Sequence, residues 1–85
     1  MHLLITDKVD QLFTQLLNEN NITYEIDLEA SEDDTLKKIN YFNGLIVRNR
    51  LNIDEYFLNR AKNLKFIARY GSGMELINTE CATKL

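Results

Sequence analysis

No proline, no tryptophan and a single cysteine occur in these 85 residues. Cys81 has no partner for an internal disulfide, and one thiol cannot build a cysteine-based zinc site. Glycine is scarce too, at three residues, and two of them fall together in Gly71-Ser72-Gly73. Positive charge is in deficit, with ten Lys and Arg against thirteen Asp and Glu, a net charge of -3. That balance argues against nucleic acid as a partner, because phosphate-binding domains carry a basic excess. No apolar run approaches a membrane span, and Asp7 and Asp10 interrupt the N-terminus before a secretion signal could form. The expected class is a soluble, cytoplasmic domain whose 45% apolar share suffices for a small core.

What is present alternates by period. His2 to Thr6 reads as a buried strand. Val9, Leu12, Phe13, Leu16 and Leu17 recur at helical spacing and predict one apolar stripe, ended by Asn20-Asn21. Ile22 to Ile26 alternates, as a half-exposed edge strand does. Ser31 followed by Glu32, Asp33 and Asp34 predicts a capped helix start carrying Leu36 and Ile39. Asn43-Gly44 turns the chain into Leu45-Ile46-Val47-Arg48, the signature of a central strand. Asp54 caps a helix bearing Phe57, Leu58 and Ala61, and Leu64 to Ala68 forms a fourth strand. After the Gly-Ser-Gly loop the chain reads as a helix start, with the helix opening at Asn78 or Thr79. Strands joined by helices of this length lie parallel, which predicts an α/β layered sheet of about four strands. No internal repeat or linker interrupts it.

Ligands of open parallel sheets bind beyond the carboxyl ends of the strands. Arg48 ends the third strand, Arg50 lies in the loop after it, and Arg69 ends the fourth strand beside Gly71-Ser72-Gly73. Arg60 falls in a helix and is expected to face water. Three of the four arginines thus map to one edge of an acidic chain, where guanidinium forks suit a carboxylate or a phosphate. Glycines leave backbone amides uncovered for a small anion. A ligand-free tight turn, with arginines meeting nearby acids, is the competing reading. A dinucleotide fingerprint fails for want of a third glycine after Gly71 and Gly73. A serine nucleophile elbow fails because Tyr70 and Met74 flank Ser72 at the positions that need glycine. Cys81 reads as a packed thiol, His2 lacks any ligand-like neighbour for a metal, and Asp27 to Asp34 reads as a solvated turn and cap. Tyr70 has two readings, lining the loop or covering the sheet end.

The order and spacing of LLITDKVDQLFTQLL, then NGLIVRNRLNIDEYFLNRAKNLKFIARYGSGMELINTECATKL, resemble the N-terminus of the D-isomer-specific 2-hydroxyacid dehydrogenases, with the phosphoglycerate dehydrogenases the nearest comparison. Arg48-Asn49-Arg50 and Asn63 through Ile77 carry the most specific part of the likeness. The resemblance implies a flavodoxin-like substrate domain, here 1–85 in part, with an inserted NAD-binding Rossmann domain absent from these residues. It implies that Tyr70, Gly71, Ser72 and Gly73 offer backbone amides to the carboxylate of a small 2-hydroxy or 2-keto acid. It also implies that Arg48, Asn49 and Arg50 hold the far end of that substrate. Leu76 and Asn78 depart from the Asn and Asp usual at those family positions. The family's catalytic arginine, glutamate and histidine match nothing here, so these residues alone are expected neither to bind NAD nor to turn over. Two other readings stand beside it. One is a non-catalytic module that self-associates, as a homo-dimer, through an uncovered sheet edge. The other is an unrelated flavodoxin-like domain holding a cofactor phosphate.

Overall fold

Four short apolar runs become strands: β1 (His2–Ile5), β2 (Thr23–Ile26), β3 (Gly44–Val47) and β4 (Phe66–Tyr70). The computed structural model describes residues 1–70 and 74–77, with Tyr70 and the last four as backbone only. β1 pairs in parallel with β2 and β3, and β3 in parallel with β4. A fifth strand, β5 (Met74–Ile77), runs antiparallel to β4, giving the order β2-β1-β3-β4-β5. The α/β architecture with flanking helices and four parallel strands is as the sequence predicts.

Burial follows the pairing. All four residues of β3 are buried at the sheet's centre, whereas β2 at the edge keeps three of four residues exposed. Successive residues of a strand face opposite ways, and the core divides accordingly. Leu4, Leu45, Val47 and Ile67 pack on one face with Ile39, Phe42 and Phe57. Leu3, Ile5, Ile46 and Ala68 pack on the other with Leu17, Val9 and Phe13.

The helices begin where acids and serine stand ready to cap them. Asp10 accepts from Leu12 N at the head of α1 (Gln11–Glu19), Ser31 from Asp34 N before α2 (Glu32–Lys38), and Asp54 from Phe57 N before α3 (Glu55–Arg60). In α2, Glu32, Asp33 and Asp34 fill the first turn and Lys37 and Lys38 the last, matching the helix dipole at both ends. Ile39–Tyr41 continues α2 as a 3-10 turn. Asn21, with φ of 58°, takes the left-handed conformation that stops α1.

Four expectations are corrected. The segment after the Gly-Ser-Gly loop is a strand, not the approach to a helix: Tyr70 pairs with Met74, and Ile67 with Ile77. Only three residues separate those strands, a hairpin length, and the return covers an edge of β4 that would otherwise be open. Leu12 and Leu16 do not join the buried stripe, being 60% and 49% exposed, because α1 turns Phe13 and Leu17, in line with Val9 just before it, to the sheet. The fourth strand starts at Phe66 instead of Leu64, so Arg69 lies within it. Asp27 forms the expected turn, accepting from the N–H groups of Glu29 and Ala30, but it is not left to solvent, since it also holds Lys38. Gly71-Ser72-Gly73, Cys81 and the helix expected from Asn78 or Thr79 lie outside the described residues.

Candidate functional site

The carboxyl ends of β1, β2, β3 and β4 lie side by side, and the residues that follow them meet there. Thr6, fully buried just past β1, anchors to β3 twice: its N–H and its hydroxyl both donate to the Ile46 carbonyl, at 3.0 and 3.2 Å. Asp7 follows. Its carboxylate accepts from the backbone N–H of Arg48 at 2.6 Å and of Arg50 at 3.3 Å. An acid after β1 thereby sets the course of the chain leaving β3.

Arg50 reaches back across the same edge. Its Nε donates to the Thr6 carbonyl at 2.6 Å, one terminal nitrogen to the Asp27 carbonyl at 3.1 Å, and the other to the Ala30 carbonyl. Asp27 is itself a node. Its carboxylate accepts from the N–H groups of Glu29 and Ala30 at 3.2 and 3.0 Å and from Lys38 Nζ at 2.6 Å. Lys38 also reaches Glu25 at 2.5 Å. The Lys38 hydrogen bond, helped by the two backbone donors, holds the Asp27 carboxyl down from 3.8 to about 2. The same carboxylate, with Glu25 second, raises the Lys38 ammonium above its ordinary value.

Arg69 donates from a terminal nitrogen to the Arg48 carbonyl at 2.9 Å, joining the tips of β4 and β3. Arg48 and Asn49 are exposed, and the Arg48 guanidinium bonds no described residue. The β4–β5 register sets Glu75 opposite Arg69. Among the described side chains, which do not include that of Glu75, no arginine at this edge pairs with a carboxylate; the ion pairs among them belong to Lys37 and Lys38. The competing picture of arginines that meet nearby acids therefore does not describe Arg50, whose guanidinium bonds three backbone carbonyls.

The structure thus gathers Arg48, Asn49, Arg50 and Arg69 at one edge, with Tyr70 leading out of it. It does not give the arginines a single role. The Arg50 fork turns inward, while the Arg48 side chain stands in solvent. Arg60 is elsewhere, over the Tyr56 ring at 3.6 Å. Sequence reasoning passed over Asp7 and Asp27, although each directly follows a strand's apolar run, the position from which a carboxylate reaches neighbouring loops. No group of three potential metal ligands occurs among the described residues, and no described helix is long and apolar enough to cross a membrane.

The comparisons with known proteins converge on one family. The family model described as D-isomer specific 2-hydroxyacid dehydrogenase, catalytic domain, matches residues 3–85. This chain belongs to that family. It is 24% identical over 84 residues to a D-3-phosphoglycerate dehydrogenase of Archaeoglobus fulgidus, covering 99% of this chain and 16% of the relative. It is 26% identical over 81 residues to the enzyme of that name from Sus scrofa, covering 95% of this chain and 15% of that one. The chain therefore spans about a sixth of the length of the curated relatives it matches. A solved protein of Thermus thermophilus is 31% identical, with a TM-score of 0.69 over 86% of this chain and 24% of its own. A second, from Pyrococcus horikoshii, is 25% identical, with a TM-score of 0.72 over 85% of this chain and 21% of its own.

Proposed function

We propose that these residues form the N-terminal part of the substrate domain of an NAD-dependent D-2-hydroxyacid dehydrogenase of the phosphoglycerate dehydrogenase kind. Their role is to hold a small 2-hydroxy or 2-keto acid, with Tyr70 to Gly73 at its carboxylate and Arg48, Asn49 and Arg50 at its far end. The observation that carries the reading is the Arg48 guanidinium, exposed at the carboxyl ends of the strands beside Asn49 and bonded to no described side chain, with Arg50 and Arg69 held next to it by backbone carbonyls. Guanidinium groups without a carboxylate partner attract an anion, and a planar fork matches a carboxylate or phosphate. Tyr70 and Gly71-Ser72-Gly73 continue the chain from that edge and are the proposed source of amide donors to the carboxylate.

NAD, when bound in such an enzyme, accepts or gives the hydride. The residues present do not fit it. A dinucleotide's pyrophosphate sits on a helix N-terminus behind a three-glycine turn, whereas here two glycines are followed by the strand Met74–Ile77. No step through the cofactor is assigned to this chain. The proposal includes no turnover by the 85 residues alone, and NADH-dependent reduction of a 2-keto acid by the purified chain would refute that part.

The binding reading is tested by titrating the chain with D-3-phosphoglycerate and following backbone amides by NMR. Saturable shifts at Arg48, Asn49, Arg69 and the residues after Tyr70 are expected. Unchanged amides at that edge, up to millimolar ligand, would sink it.

One observation favours a second reading, a non-catalytic homo-dimer. Edge strand β2 has Ile26 49% exposed, followed by Leu28 at 40%, and α1 exposes Leu12 and Leu16. Native mass in solution decides this: a dimer that ignores every anion would replace the dehydrogenase reading.

A further inference from the structure

Arg50 is built unlike its neighbours. Three of the five guanidinium N–H groups go to carbonyls of Thr6, Asp27 and Ala30, which belong to two different connections of the fold. Its own backbone N–H is held by Asp7, so side chain and main chain are both fixed. The turn from Asp27 to Ala30, which supplies two of the three carbonyls, is braced through the Asp27 carboxylate by Lys38. A lysine cannot substitute, because one ammonium at the end of a flexible stem does not reach three acceptors laid out around a plane.

We infer that Arg50 is a positioning residue: it ties the connection after β1, the β2–α2 connection and the exit of β3 into one rigid rim, and so presents Arg48 and Asn49 to the anion without touching it. This deepens the anion-site reading proposed above and rests on it. Within that site the two arginines have separate roles, Arg48 supplying charge and Arg50 supplying geometry.

Two measurements on the full 85-residue chain test the division. In the first, with no ligand, hydrogen exchange of the arginine Nε–H protons is compared by NMR. The Arg50 proton, bonded to Thr6, is expected to exchange at least about tenfold more slowly than that of Arg48, and to keep its chemical shift when inorganic phosphate is added. Equal exchange rates, or a saturable phosphate shift at Arg50 larger than at Arg48, overturn the inference. In the second, phosphate affinity and its ionic-strength dependence are measured for Arg50→Lys, Arg50→Met and Arg48→Met at a temperature where each is folded. Both Arg50 variants are expected to bind about tenfold more weakly with an unchanged salt dependence, whereas Arg48→Met flattens it. Rescue by Arg50→Lys, with a flattened dependence for Arg50→Met, would make Arg50 a direct ligand and overturn the inference. Should the Arg50 variants fail to fold, the exchange measurement on the unsubstituted chain still decides. A protected Arg50 proton with no phosphate binding anywhere rejects the anion site, and with it the positioning role, while leaving the clamp itself in place.

Discussion

The two ends of the sheet are closed by different chemistry. At the amino end of the strands, amide, hydroxyl and ring groups do the work. Asn43 donates its N–H to the His2 carbonyl at 2.8 Å, accepts from Lys65 N at 2.7 Å, and takes the His2 N–H on its side-chain oxygen at 2.7 Å. The His2 ring shares a hydrogen bond with the Thr23 hydroxyl at 2.8 Å and stacks on Phe42 at 4.7 Å. At the carboxyl end, Asp7, Asp27, Lys38 and Arg50 tie the loops through charge-assisted hydrogen bonds. The first arrangement depends on fit and is indifferent to salt. The second also depends on fit, as the Arg50 fork shows, but adds fixed charge, which is what an anion site needs beside it.

Substitutions at the amino end should therefore cost stability through packing alone, and the largest effect is expected at Gly44. A Cβ there would lie 2.3 Å from Phe66 Cζ and 2.8 Å from Leu3 Cδ2. Gly44→Val should cost about 1–3 kcal/mol, read as a lower urea midpoint that is the same in low and high salt. A salt-dependent loss would erase the contrast between the ends. Next, Asp7→Ala at the carboxyl end removes the acceptor for two backbone N–H groups and should cost about 1–2 kcal/mol. Its amide shifts should concentrate at Arg48 and Arg50; shifts spread over the whole sheet would contradict the local role of Asp7.

Acid provides a third way to separate the ends. Asp27 has its carboxyl depressed from 3.8 to about 2, so the stability it contributes is fully present above pH 3.8 and is lost as pH falls through about 2. Lys38, raised above 10.5, contributes stability that is full below that pH and lost as pH rises through its own higher value. In Lys38→Met the Asp27 titration, followed by side-chain carbonyl NMR, should move up toward 3.8. An unmoved titration would show that the two backbone N–H groups alone hold Asp27. The smallest effect is expected away from both ends. Arg60→Ala should cost about 0.5 kcal/mol by losing its contact with the exposed Tyr56 ring, with anion binding unaffected. Weaker anion binding in that variant would extend the site beyond the carboxyl edge.

Much of the fold is legible from local pattern. Ser31 and Asp54 cap the helices they precede, as expected, Asp10 does so without having been singled out, and the alternation of Ile22 to Ile26 marks an edge strand. Residues two or three apart settle a cap, so no distant knowledge is needed. The grouping of Arg48, Arg50 and Arg69 is legible for a similar reason, since strand ends in a parallel sheet lie together. What each arginine does was not legible. Arg50 meets Thr6 across 44 positions and Asp7 meets the Arg48 N–H across 41, separations at which a sequence pattern carries no contact information. β5 escaped for a related reason: Met74–Ile77 has no strong period of its own and becomes a strand by pairing with β4.

The sequence by itself determined the order of the first four strands and the helices between them, their caps, the class of sheet and the family, because these rest on periodicity and on side chains acting on their near neighbours. Tertiary structure alone decided that the chain doubles back after Tyr70, that α1 leaves Leu12 and Leu16 in water, and that Arg50 fastens loops while the Arg48 side chain stands in solvent. Each of these depends on which backbone carbonyls and apolar faces come within reach once the sheet has assembled, and that is a property of the packed chain, not of any segment within it.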